Sequence, residues 1–269
     1  MATVVDPKTG LQLYELSHIW EHGVPSMPGD DDVQMYRSVK HGQHGVMTHR
    51  IKMVMHSGTH MNAPIHMIQG GATTADIPLD NLFGNGAILS IPKKRWEVIT
   101  KKDLQAAQPK IKRGDFVVIV TGWHHKYSDS LEYWGESPGL SSEAASWLVS
   151  LGVKLVGVDT PQIDHPLATS LGPHRGGPLM NRVVEKYAEF MGRDAKTDHP
   201  IWNVAHKLLL SANIPTIEQV GGDVDDLIGK RATMVATPWR WQHGDACPVR
   251  FVAMTDPSGD CRIDNGAEE

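Results

Sequence analysis

No run of 18 consecutive apolar residues occurs anywhere in the chain, which argues against a transmembrane helix. The opening "MATVVDPKTG" has no basic segment followed by an apolar stretch, so neither a secretory signal nor a membrane partner is expected, and a cytoplasmic setting is. Cysteine is scarce, with Cys247 and Cys261 alone, and nothing requires them to pair; a reduced compartment is the simpler reading. An excess of positive charge is also missing. The net charge is -5, with no basic patch of the kind a nucleic-acid surface needs. Internal repeats, low-complexity tracts and a G-x-G-x-x-G after a strand are absent too. What is abundant is histidine, 15 residues of it, the commonest metal ligand and the side chain best suited to proton transfer near neutrality.

Apolar residues make up 40% of 269, enough for a sizeable core, and a single domain over 1–269 is expected. Strand-like runs recur at "GAILSI" (86–91), "DFVVIVTGW" (115–123), "VKLVGVD" (153–159), "IPTIEQV" (214–220) and "ATMVATPW" (232–239). Several are nearly continuous in apolar residues, which predicts strands covered on both faces. Helical signals lie between them. "TKKDLQAA" begins with Thr100 and has Asp103 three residues later, resembling a capping box. "SSEAASWLVSLG", "LMNRVVEKYAEFMG" and "IWNVAHKLLLSAN" each carry an apolar face and end at glycine or asparagine. Alternating strand and helix predicts an α/β class, with 161–200 as a Gly/Pro-rich excursion containing its own helix.

The densest chemistry is "HSGTHMNAPIH", residues 56–66. His56 and His60 are four apart, but Gly58 between them and Pro64 beyond argue against a helix. The expectation is a strand "RIKMVMH" ending at His56 and turning through Gly58. His60 and Asn62 then share a face, because alternate residues of an extended chain do. His66 reaches the same point from beyond the proline. Glu218 lies within a predicted buried strand, where a carboxylate needs a cation or strong donors. His206 sits on the preceding helix, twelve residues upstream, placed to meet it. "GDDD" (29–32) reads as a solvated turn, since no calcium-loop spacing follows.

These residues resemble the cyclase-type metal-dependent hydrolases, the family that includes kynurenine formamidase and isatin hydrolase. The family signature H-x-G-T-H-x-D-x-P-x-H corresponds to residues 56–66. "HKLLLSANIPTIEQV" is similar to its H-x-x-L-L…I-P-I-I-E-N-L block, and "LSHIWEHGVPSMPGD" to its first strand and turn. The resemblance implies a swivelling β/β/α fold with a mixed sheet, a homodimer or homotetramer, and amide hydrolysis by metal-activated water. By position, His56, His60 and Asn62 fall on ligands of the first ion, and His66 on the residue handling the catalytic proton. His206 and Glu218 fall on a second ion's ligands, or complete the site of a one-ion member. Asn62 departs from the pattern, because its neutral carboxamide stands where the family has an Asp. One Mn²⁺ or Zn²⁺ is therefore favoured over two, with Glu218 the one carboxylate in reach. The implied substrate is a small amide. The 161–200 excursion, with His174 and Arg175 as candidate substrate contacts beside Trp20, favours a cyclic amide of the isatin or lactam type. Arylformamidase action on N-formylkynurenine is the alternative, and a silent metal- or ligand-binding relative is a third reading.

Overall fold

The computed structural model describes residues 4–174, 176 and 180–258. Ten strands form one mixed sheet: β1 (Val4–Val5), β2 (Gln12–Glu15), β3 (His60–Asn62), β4 (Phe83–Ser90), β5 (Phe116–Val120), β6 (Leu155–Val158), β7 (Thr216–Glu218), β8 (Lys230–Ala236), β9 (Ala246–Pro248) and β10 (Phe251–Thr255). Their order across the sheet is β1-β2-β10-β8-β4-β5-β6-β7-β3-β9. The centre, β4-β5-β6-β7, is parallel. The remaining pairings are antiparallel. All five predicted strands are present, and the fold is α/β with a mixed sheet, as expected.

The parallel centre arises from helical crossovers. Between β4 and β5 runs α1 (Lys101–Ala106), whose Thr100 side chain accepts from the Asp103 N–H while Asp103 accepts from the Thr100 N–H, the reciprocal cap the sequence predicts. Between β5 and β6 runs α2 (Ser142–Leu151), capped by Ser141 and stopped by Gly152 in the left-handed region. The excursion after β6 contains α3 (Met180–Met191), and α4 (Val204–Ser211) leads into β7. Every residue of β5 is buried, and its side chains alternate between two cores. Val117 and Ile119 pack with Leu148 of α2 and Leu209 of α4. Phe116, Val118 and Val120 pack with Leu16, Met234 and Phe251 from the antiparallel flanks. The sheet therefore curls so that its flanks cover the face the helices leave open. A bridge from Ser17 to Val220 joins the two sides of that curl.

One predicted element differs. The strand expected to end at His56 stops at Lys52, and residues 48–52 pair with Gln34–Val39 in a separate hairpin. Every residue of Thr48–Lys52 is exposed, so no packing carries the strand further. The chain bends through 53–59 and joins the large sheet only at His60.

Candidate active site

Three parts of the sheet meet around one cavity of about 360 Å³, lined among others by His56, His60, His66, His206 and Glu218. The bend is fixed first. Gly58 has φ 60, and a Cβ there would sit 2.7 Å from the Trp20 ring, so both backbone and space require glycine. Thr59 donates its hydroxyl to the Gln219 carbonyl at 2.6 Å, tying the bend to the end of β7. His60 Nδ1 donates to the Gly58 carbonyl at 2.8 Å, which puts the ring proton on Nδ1 and leaves Nε2 facing Glu218. Pro64 opens a short turn, Pro64–His66, that brings the His66 ring within 4.2 Å of His56.

The antiparallel pairing of β3 with β7 sets His60 directly opposite Glu218 and Asn62 opposite Thr216. Glu218 Oε1 lies 2.9 Å from His206 Nε2 and accepts the Ile163 N–H at 2.7 Å. Glu218 Oε2 lies 3.2 Å from His60 Nε2, but off the line of a hydrogen bond. On the other side of His206, Nδ1 donates to Asp164 at 2.7 Å. Asp164 also takes the N–H groups of Ala205 and His206 at 2.7 and 3.0 Å, capping the start of α4. The ring is thereby held with Nε2 turned into the site.

Two carboxylates give the site its charge. Burial alone would raise Glu218, but the His206 and His60 imidazoles hold it well below the usual carboxylate range. Burial opposes the charge on His206, but Glu218 and Asp164 on its two nitrogens raise it to about 10. The second carboxylate is Asp245, 2.9 Å from His56 Nε2 and lowered to about 2 by that hydrogen bond. His66 moves the other way. Burial first, then the neighbouring His56 and His206, push it down to about 3, so it is neutral at pH 7 rather than titrating near the ordinary imidazole value.

The donor set fits a divalent cation. His60 Nε2 and Asn62 Oδ1 are both buried with no hydrogen-bond partner among the described residues, a costly arrangement unless a cation or ligand meets them. Asn62 gives its Nδ2 to Thr216 at 3.1 Å, which leaves Oδ1 as its free acceptor. His56, His66 and Asp245 also place ligand atoms within 4.8 Å of one another. Imidazole nitrogens with carboxylate and carboxamide oxygens suit zinc or manganese.

His56, His60, His66, His206 and Glu218 thus share one cavity, and Asn62 abuts it from β3. Trp20 does not line this cavity; it packs on Gly58, donates to the Ser57 carbonyl, and faces a separate cleft with Trp239. His174 donates to the His199 carbonyl at 2.6 Å and lies away from the cavity. Arg175 lies outside the described residues, as does Cys261, while Cys247 is a buried free thiol. The "GDDD" turn is exposed, but Asp30 borders the cavity. Glu218 is not the one carboxylate in reach, because Asp245 joins it. Asp245 arrives through pairing of Ala246 in β9 with Asn62 in β3, a contact no local pattern reveals. Nor did a local pattern mark Asp164, which follows "TPQI" in the excursion after β6.

Comparison with known proteins places this arrangement in context. The pattern of the family described as "Putative cyclase" matches residues 14–165. A kynurenine formamidase of Salinibacter ruber is 25% identical over 254 residues, covering 92% of this chain and 99% of that protein. A kynurenine formamidase of Erythrobacter litoralis is 27% identical over 169 residues, 62% of this chain and 74% of that one. Among solved structures, an isatin hydrolase bound to the product analogue thioisatinate superposes with a TM-score of 0.73 at 19% identity, over 91% of this chain and 93% of that one. Isatin hydrolase A from Ralstonia solanacearum gives 0.71 at 20% identity, over 92% and 93%. The structural likenesses speak for the fold.

Proposed function

The chain belongs to the putative cyclase family, and on that premise we propose that it hydrolyses a small cyclic amide at its carbon–nitrogen bond with the help of a divalent metal ion. The observation that carries this reading is the convergence of four imidazoles and the ionised Glu218 on one cavity, with Asp245 hydrogen-bonded to His56 and, among the described residues, no hydrogen-bond partner for the buried His60 Nε2 and Asn62 Oδ1.

His56, His60 and the Asn62 carboxamide would hold the ion, with Glu218 and Asp245 supplying its charge balance. When bound, a divalent ion supplies Lewis acidity toward a carbonyl oxygen and makes water more acidic. The remaining work belongs to the chain. His66, beside His56 in the cavity, is placed to take a proton from water and return it to the departing nitrogen, although its burial makes the ring a weak base on its own. His206, locked by Asp164, keeps Glu218 ionised and in place. Trp134 and Trp202 line the same cavity and offer flat apolar surface to a planar ring. A cavity of about 360 Å³ suits a small molecule of that kind.

Opening a ring places the new amine and carboxylate on one product molecule, so the cavity has no second leaving fragment to release. The near-complete overlap with the Salinibacter formamidase supports a second reading, cleavage of the formamide of N-formylkynurenine. Chelator-stripped protein reloaded with Mn²⁺ or Zn²⁺ and offered isatin, a bicyclic γ-lactam and N-formylkynurenine separates the two. Turnover of a cyclic amide supports ring opening; turnover of N-formylkynurenine alone replaces it with formamidase action. Stoichiometric metal with no turnover of any of the three would favour a binding protein, consistent with Asn62.

A further inference from the structure

A second cluster lies outside the catalytic cavity, where the turn Trp123–Lys126 after β5 meets the short helix Val224–Leu227 after β7. The turn is held from beneath by Asp159, which follows β6 and is fully buried. Asp159 Oδ1 accepts the Thr121 N–H and hydroxyl at 2.9 and 2.7 Å. Its Oδ2 accepts the N–H groups of Gly122 and Trp123 at 2.8 and 2.9 Å. The same Oδ2 accepts from His124 Nδ1 at 2.9 Å. That bond fixes the His124 tautomer and aims Nε2 outward. A carboxylate behind a histidine, with the far nitrogen turned toward the site, is how proteins orient imidazole ligands; here the far nitrogen is hydrogen-bonded to Asp225.

Nε2 of His124 lies 3.2 Å from Asp225 Oδ1, and Nε2 of the adjacent His125 lies 3.4 Å from Asp225 Oδ2. The two rings are 4.0 Å apart, centre to centre, both turned onto one carboxylate. As a plain ion pair this is inefficient, because one carboxylate faces two imidazoles that repel each other when both are protonated. As ligands the three fit well. All their donor atoms lie within 4.8 Å of one another. The 3.2 and 3.4 Å separations match neighbouring ligands of a tetrahedral ion with bonds of about 2.0–2.2 Å. Two imidazoles and a carboxylate leave a fourth position for water.

We propose that His124, His125 and Asp225 form a second metal site, for a divalent transition ion of the zinc class. It is separate from the catalytic cavity. The ion would staple the turn after β5 to the helix after β7, joining residues 101 apart in sequence.

The test is zinc binding by equilibrium dialysis to chelator-stripped wild-type protein and to His125→Ala, Asp225→Asn and His60→Ala. His125 and Asp225 are exposed enough that both substitutions should leave the fold intact. Wild type should bind one more zinc per chain than either outer variant, or bind that zinc at least about tenfold more tightly. Added zinc should raise its Tm further than theirs. His60→Ala should keep the outer zinc, so failure of the catalytic-site reading and failure of this one are told apart. Equal zinc stoichiometry and affinity in wild type, His125→Ala and Asp225→Asn would overturn the proposal.

Discussion

The two histidine clusters draw on one short stretch of chain. Residues 159–164, just after β6, place Asp159 behind His124 and Asp164 behind His206, each 2.7–2.9 Å from the ring Nδ1. In both, a buried carboxylate holds the ring through Nδ1–H and aims Nε2 at another carboxylate. The clusters part at that second carboxylate. Glu218 is almost wholly buried, whereas Asp225 is half exposed. Water can screen the outer cluster when no ion is bound, but the inner one must balance its own charge. The same orienting device thus serves a demanding site and a tolerant one, and burial makes the difference.

Substitution should show that contrast most strongly at the terminal carboxylates. Glu218→Ala leaves buried His60 and His206 without their shared partner, and should cost about 3–5 kcal/mol of stability by urea unfolding. Asp225→Ala should cost less than about 1 kcal/mol by the same measurement. Comparable losses would mean that burial does not distinguish the clusters. His60→Ala should lose inner-site metal and amide hydrolysis together, while His66→Ala should keep the metal and lose turnover. Metal loss in His66→Ala, read by elemental analysis, would instead make His66 a ligand with its neighbours His56 and Asp245. Asp164→Asn should weaken inner-site metal binding or activity by about 10–100-fold through loss of ring orientation. Asp225→Asn should leave kcat/KM within about twofold.

Stability should also depend on pH. His66, His18 and His199 have folded-state values depressed to about 3, 4 and 4, chiefly by burial. Below the ordinary imidazole value of 6.5 the unfolded chain takes up protons these groups refuse, so their contribution to stability falls as pH drops from 6.5 toward 4. His206, raised to about 10, contributes fully below 6.5 and loses that contribution as pH rises toward 10. Metal-free protein should therefore be most stable near neutrality, with urea midpoints falling on both sides. A midpoint that rises steadily toward pH 4 would contradict the burial of these rings.

Much of this was legible from residues alone. The five apolar runs became strands because their continuous hydrophobicity matches a sheet covered on both faces. The Thr100 cap and Gly152 stop are local chemistry that local sequence encodes. The 56–66 block and the His206–Glu218 pair announced the site through types and spacing. What escaped was non-local. Asp245 reaches His56, 189 residues away, only because β9 pairs with β3. His124 meets Asp159 and Asp225 only in the fold, since one follows β6 and the other lies on the helix after β7. Trp20 looked like a substrate contact, but its ring is spent on covering Gly58.

Everything functional rests on an ion held by the loop histidines. Anomalous scattering at the manganese edge, from crystals of stripped protein reloaded with Mn²⁺, reads this most directly. A peak in the cavity between His56, His60 and Glu218 is the expected result. Scattering absent there in well-ordered crystals, with the three side chains keeping only one another's company, would contradict it.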